Sequence, residues 1–169
     1  GGIIIDNVTV DLTIKDVTIK SDGARGWNLA GIYLKGQAQL NLTLEGTNTL
    51  VGLDDGAGIE VEKGATLVIT EQSTGNLKAV GGAAGIGGKP GTTGYEGADK
   101  NYGTGTIIIK GGSIVAEGGA YQVSQSTRYH GGAGIGTGRY GIGGTIEILG
   151  GTITAEGGKQ TGAGIGGGM

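Results

Sequence analysis

Apolar residues arrive in runs of three to six along this chain, and the runs are short, evenly punctuated and repeated. Ile3-Ile4-Ile5, Val8-Thr9-Val10, Leu12-Thr13-Ile14 and Val17-Thr18-Ile19 open it. Leu40-Asn-Leu-Thr-Leu-Glu-Gly46, Leu67-Val-Ile-Thr70, Thr106-Ile-Ile-Ile-Lys-Gly-Gly112 and Thr145-Ile-Glu-Ile-Leu-Gly-Gly151 share one phrase. Several runs alternate apolar with Thr, Asp or Lys, so one face is buried and the other meets water. Ile, Val, Leu and Thr bounded by Gly, Asn and Asp is strand composition with strand punctuation. No window of a dozen residues keeps apolar residues at helical spacing without crossing a Gly-Gly, and Pro90 is the single proline. The pattern predicts an all-β chain.

The phrases recur at fixed offsets. Ala30-Gly31-Ile32 returns as Ala57-Gly58-Ile59, Ala84-Gly85-Ile86, Ala133-Gly134-Ile135 and Ala163-Gly164-Ile165, at spacings of 27, 27, 49 and 30 residues. Ser113-Ile-Val-Ala-Glu-Gly-Gly119 matches Thr152-Ile-Thr-Ala-Glu-Gly-Gly158. Each unit reads as three short strands and three turns, the count for one coil of a three-sided parallel β-solenoid. Coils near 1–29, 30–56, 57–83, 84–132, 133–162 and the start of another at 163–169 are expected, about five or six in one module. Right-handed winding is the default for parallel crossovers. A repeated Ile fills one internal slot in every coil, and a repeated Gly marks a corner where a side chain would collide. A β-sandwich also uses many short strands, but it does not predict near-identical phrases at near-constant offsets.

Composition adds bounds. The 43 glycines among 169 residues fit tight corners, and 36% apolar residues can fill a core. The net charge of −3 comes with scattered Lys and Arg, so no basic stripe invites nucleic acid. No apolar run reaches 18 residues, so membrane insertion by a helix is not expected. Cysteine is absent, which excludes disulfides and Cys-metal sites. The last coil opens without a visible cap, so the chain reads as a fragment of a longer protein, or as a surface where a neighbouring domain or subunit stacks.

Ala-Gly-Ile-Gly-Gly followed by Gly-Thr-Ile-x-Ile-x-Gly-Gly-x-Ile-x-Ala-x-Gly-Gly resembles the Gly-rich β-solenoid repeats of large secreted and wall-anchored proteins of Gram-positive bacteria. The resemblance covers residues 84–169 well and 30–83 loosely. It implies a parallel β-helix and an extracellular or cell-surface location. The chain is also distantly similar to clostridial β-helix proteins that bind plant polysaccharide and calcium. That likeness lies in the coil pattern and carries over no individual ligand residue.

Candidate chemistry follows from the corners and insertions. The third unit exceeds the basic period through Lys89–Gly103 and Tyr121–His130, and insertions at solenoid corners often build a binding face. Trp27, Tyr129 and Tyr140 lie in corners, and Tyr95, Tyr102 and Tyr121 lie in insertions, with Arg128 and Arg139 beside them. Flat aromatic faces with polar neighbours suit sugar rings and their hydroxyls. If equivalent corners stack, Trp27, Tyr129 and Tyr140 line one edge. Shielding of the ladder is the competing role. Tyr33, directly after an Ala-Gly-Ile, is placed as a cover of the core. Glu60 and Glu62 alternate and are expected to point outward together.

Asp54 and Asp55 in a Gly corner, with Asp22 one coil earlier, offer oxygen ligands for calcium; solvated Asx turns are the simpler account. Asp54-Asp55 with Arg139 or His130 is the only loose set for polysaccharide cleavage, and no catalytic residue is assigned. The expected function is non-catalytic carbohydrate binding, with a structural spacer or self-assembling stalk as the alternative and a lyase or hydrolase behind both.

Overall fold

The structure, a computed structural model, describes residues 1–22, 29–91, 103–122, 129–159 and 161–168. Among these residues there are eighteen strands, β1 to β18 in chain order, and no helix. Three parallel sheets form the walls of a three-sided coil. The first contains β1 (Ile3–Asp6), β4 (Ile32–Lys35), β7 (Ile59–Val61), β10 (Ile86–Gly88), β15 (Ile135–Arg139) and β18 (Ile165–Gly168), stacked in that order. The second stacks β2 (Thr9–Lys15), β5 (Gln39–Glu45), β8 (Thr66–Ile69), β11 (Thr106–Ile109) and β16 (Thr145–Ile148). The third stacks β3 (Thr18–Lys20), β6 (Thr47–Val51), β9 (Asn76–Val80), β12 (Ser113–Glu117) and β17 (Thr152–Glu156). Five full coils and the first strand of a sixth make a parallel β-helix with three strands per coil.

Register explains the repeats. Ile3, Ile32, Ile59, Ile86, Ile135 and Ile165 stack as one column of the first sheet. Val10, Leu40, Leu67, Ile107 and Ile146 do the same in the second. Ile19, Leu50, Ala79, Ala116 and Ala155 do so in the third. The middle members are fully buried, and each large one contributes about 1.5–3 kcal/mol of burial. Ile148 of β16, the neighbouring Leu149 and Ile165 of β18 are exposed.

The invariant Gly of Ala-Gly-Ile has a direct cause. A Cβ on Gly31, Gly58, Gly85 or Gly134 would sit 2.7–2.8 Å from the carbonyl oxygen of the equivalent Gly one coil on. Backbone cannot step aside as a side chain can, so each coil forbids a side chain in the coil below it. The corner alanines Ala30, Ala57, Ala84 and Ala133 are wholly buried beside this column.

Asn48 shows how a polar side chain is accommodated in the interior. It is completely buried between coils. Its Nδ2 donates to the carbonyls of Glu45 (2.9 Å) and Asn76 (3.2 Å), and its Oδ1 accepts from the Val17 amide (3.3 Å). Satisfying all three groups removes the penalty of burying an amide.

Candidate functional site

The candidate residues divide between two edges of the prism. The edge from the third sheet to the first carries Asp22, Asp54 and Asp55, which follow β3 and β6, and a two-stranded antiparallel ribbon between β12 and β15. The ribbon consists of β13 (Ala120–Gln122) and β14 (Tyr129–Gly131). The edge from the first sheet to the second carries Arg139, the last residue of β15, and Tyr140 beyond it. The stems of the Lys89–Gly103 insertion leave and rejoin the coil at this same edge. Trp27, Tyr95, Tyr102 and Arg128 lie outside the described residues.

This division corrects one expectation. Tyr129 and Tyr140 do not line one edge, because Tyr129 precedes β15 and Tyr140 follows it. Ala-Gly-Ile opens a strand, so residues before and after it belong to different corners with the width of the first sheet between them.

The ribbon brings sequence candidates together. Its register pairs Tyr121 with His130 and Gln122 with Tyr129. The ribbon thus places two tyrosines, a glutamine and a histidine at directly opposed backbone positions. The ribbon's base is tied to the solenoid: Gly132 donates to the Gly119 carbonyl (2.9 Å), and the Gly131 amide donates to the Thr161 hydroxyl (2.9 Å).

The aspartates are separately placed. Asp54 adopts φ 47° in an exposed turn, and Asp55 is exposed beside it. Asp22, about two-thirds exposed, pairs with the N-terminal amine at 3.4 Å. Among the described residues no group of three or more His, Asp or Glu gathers in metal-binding geometry. Of the two partners considered for Asp54 and Asp55, Arg139 stands across the first sheet at the other edge, and His130 belongs to the ribbon at the same edge.

A second cluster lies on the outer side of the first sheet. Ile4, Tyr33 and Glu60 occupy one outward column, each one coil apart. Tyr33 is buried, as expected of a covering residue, but on the outer side of the sheet. Ile32 and Leu34, its neighbours, point inward into the core. The Tyr33 hydroxyl donates to Glu62 Oε1 (3.1 Å), and Glu62 Oε2 accepts from the Gly36 amide (2.7 Å). Lys89 Nζ stands 5.7 Å from the Tyr33 ring centroid and 3.7 Å from Glu60 Oε1. Glu60 faces outward as expected but is only 5% exposed. Burial raises its pKa from 4.5 to about 7; Lys89 opposes the rise and Glu62 adds to it. Burial also pushes the Tyr33 phenol up, helped by the charges of Glu60 and Glu62. The sequence signal for this cluster was the repeat itself: 27 residues before Glu62 stands Lys35, and 27 after it stands Lys89.

Comparison with known proteins gave no matching family model, no matching curated protein and no matching solved structure.

Proposed function

We propose that this β-solenoid is a non-catalytic carbohydrate-binding module of a secreted or cell-surface bacterial protein, and that the β13–β14 ribbon is its ligand-contacting element. The observation that carries the reading is the ribbon's register, which joins Tyr121, Gln122, Tyr129 and His130 on one short element mounted on a rigid coil stack. A tyrosine beside a polar residue offers a sugar a stacking face and a hydrogen-bonding partner at once. Rigid support limits the ordering cost of binding. Calcium, if used, would bind at the same edge through Asp54 and Asp55.

The test is affinity electrophoresis of the purified chain through a panel of plant and host polysaccharides, with calcium and with chelator. Retardation by one glycan class, reduced in Trp27→Ala or Tyr129→Ala with the melting temperature unchanged, is the expected result. Retardation by none, or retardation that both variants keep, would overturn it. Loss of retardation in chelator would assign the metal to the Asp54-Asp55 corner.

A further inference from the structure

We propose that the Tyr140 corner is a second glycan-contacting point, at the opposite edge of the first sheet from the ribbon, so that one polysaccharide chain bridges the two. This second contact rests on the carbohydrate-binding reading and adds a ligand class to it: an extended polymer rather than a mono- or disaccharide.

Tyr140 holds a backbone conformation that its side chain does not favour. Gly138 to Gly141 form a turn closed by the Gly141 amide on the Gly138 carbonyl (3.2 Å), and Tyr140 sits at its third position with φ 56°. Positive φ at that position calls for glycine or asparagine, and a bulky residue there is strained. Among the described residues the other non-glycine residues with positive φ are Asn7, Asp16 and Asp54. Asn and Asp enter this region more readily, and two of these put the turn to use. Asn7 Oδ1 accepts from the Gln37 amide (3.0 Å), and Asp16 Oδ1 from the Thr47 amide (2.8 Å), each one coil on. Tyrosine has neither that tolerance nor a side-chain carbonyl or carboxylate oxygen. Gly138, Gly141, Gly143 and Gly144 surround it in sequence, so glycine at 140 is the unstrained alternative. Strain kept at an exposed position points to a use for the side chain.

The corner is held from both sides. The outgoing stem of the Lys89–Gly103 insertion lies along it: a Cβ on Gly138 would sit 2.6 Å from Pro90 N, and one on Gly91 would sit 2.9 Å from the Tyr140 carbonyl oxygen. The returning stem joins it through the bridge of Gly103 to Ile142. Tyr140 nonetheless stays 40% exposed, and a Cβ on Gly143 would meet nothing within 4 Å. A flat, partly apolar sugar can therefore reach the ring and stack on it.

Between the ribbon and Tyr140 runs β15. Its Ile135 and Thr137 are wholly buried, and Gly136 and Gly138 carry no side chain, so up to Arg139 the strand itself puts no side chain in the path of a bound polymer. Five residues at about 3.3 Å each set the two edges roughly 16 Å apart, which a polymer spans and a disaccharide does not. Two contacts on one rigid frame reinforce each other, because the first makes the second intramolecular.

Affinity electrophoresis of the full chain through gels of mixed-linkage β-glucan, xyloglucan, arabinoxylan and hyaluronan tests this. Tyr140→Gly removes the ring and relieves the backbone. In the gel that retards the wild type, its affinity should fall by about tenfold or more, while its melting temperature stays the same or rises. Tyr140→Asn, which also tolerates positive φ, should lose the same affinity, and Tyr140→Trp, which keeps a flat face, should retain it. As a competitor on the wild type, the octasaccharide of that polymer should exceed its disaccharide by about tenfold or more, and most of this advantage should vanish in Tyr140→Gly. Unchanged affinity in Tyr140→Gly, or a loss matched by a lower melting temperature in both the Gly and Asn variants, would overturn the second contact while leaving the ribbon reading intact. Equal potency of the two competitors on the wild type would overturn the bridging. Retardation of the wild type by none of the gels would overturn the second contact and the carbohydrate reading together.

Discussion

The first three coils and the last three share a cross-section but build their first sheet in different ways. In the first three, the position after the inner Ile carries a side chain: Ile4, Tyr33, then Glu60. In the last three it carries Gly87, Gly136 and Gly166, at φ 143°, 140° and 130°. There the strand bends, and in the fifth coil the Ala133 amide turns back to the Thr137 carbonyl (3.0 Å). Only glycine enters this region of backbone space without strain. Ion pairs also join neighbouring coils, among them Lys78–Glu117 (2.8 Å) from the third coil to the fourth. Lys35–Asp6 and Lys15–Glu45 join residues directly opposed on neighbouring coils in the first half. The lesson is that one register supports two surfaces: a decorated one that can bury ionisable groups, and a bare one whose diversity is moved into insertions at the edges.

The sharpest way to break the comparison is to exchange the two solutions. Gly87→Glu places the side chain of Glu60 one coil on, where a Cβ would meet the Gly136 carbonyl oxygen. It should cost more than about 4 kcal/mol in urea unfolding, whereas Tyr33→Ala in the same column should cost no more than about 2 kcal/mol. Comparable losses would mean that the glycine conformation is not a requirement of the stack. Ladder position comes next. Ile107→Ala, in a wholly buried column, should lose about 3–4 kcal/mol, and Ile148→Ala, 43% exposed at the end, less than about 1 kcal/mol. Equal costs would show that the last coil is covered in solution.

Glu60 sharpens the comparison through pH. Its folded pKa of about 7 lies above the ordinary 4.5, so the folded state binds the proton more tightly. The stability it contributes is complete below pH 4.5 and is lost as pH rises through 7. Wild type should lose about 3 kcal/mol from this group between pH 4.5 and pH 8, and Glu60→Gln should flatten that part of the profile. A wild-type profile that is already flat there would remove Glu60 from the account. The smallest effect is expected at the exposed Lys15–Glu45 pair (3.3 Å): Lys15→Ala should change the unfolding free energy by less than about 1 kcal/mol.

Much of the architecture was legible because stacking writes itself into the sequence as repetition. The phased Ile and the Ala-Gly-Ile glycines each occupy one slot, and the slot's neighbours are copies of itself. The Glu60 environment was legible in part. Alternation gave its outward direction, and the 27-residue period links Lys35, Glu62 and Lys89. Its burial was not legible, because that depends on an insertion with no copy elsewhere in the chain. The placement of Tyr140 was misread for a related reason: proximity in sequence to Ala-Gly-Ile does not say on which side of the strand a corner falls. The Tyr121–His130 pairing needed the antiparallel ribbon, which breaks the parallel rule that the other strands obey among the described residues.

The proposed function has the ribbon, mounted on the coil stack, hold a polysaccharide. The most direct measurement is affinity electrophoresis of the wild-type chain beside a variant in which residues 121–130 are replaced by a Gly-Gly turn, on the glycan that retards the wild type. The account predicts loss of retardation at an unchanged melting temperature. Undiminished retardation of the shortened chain would contradict it.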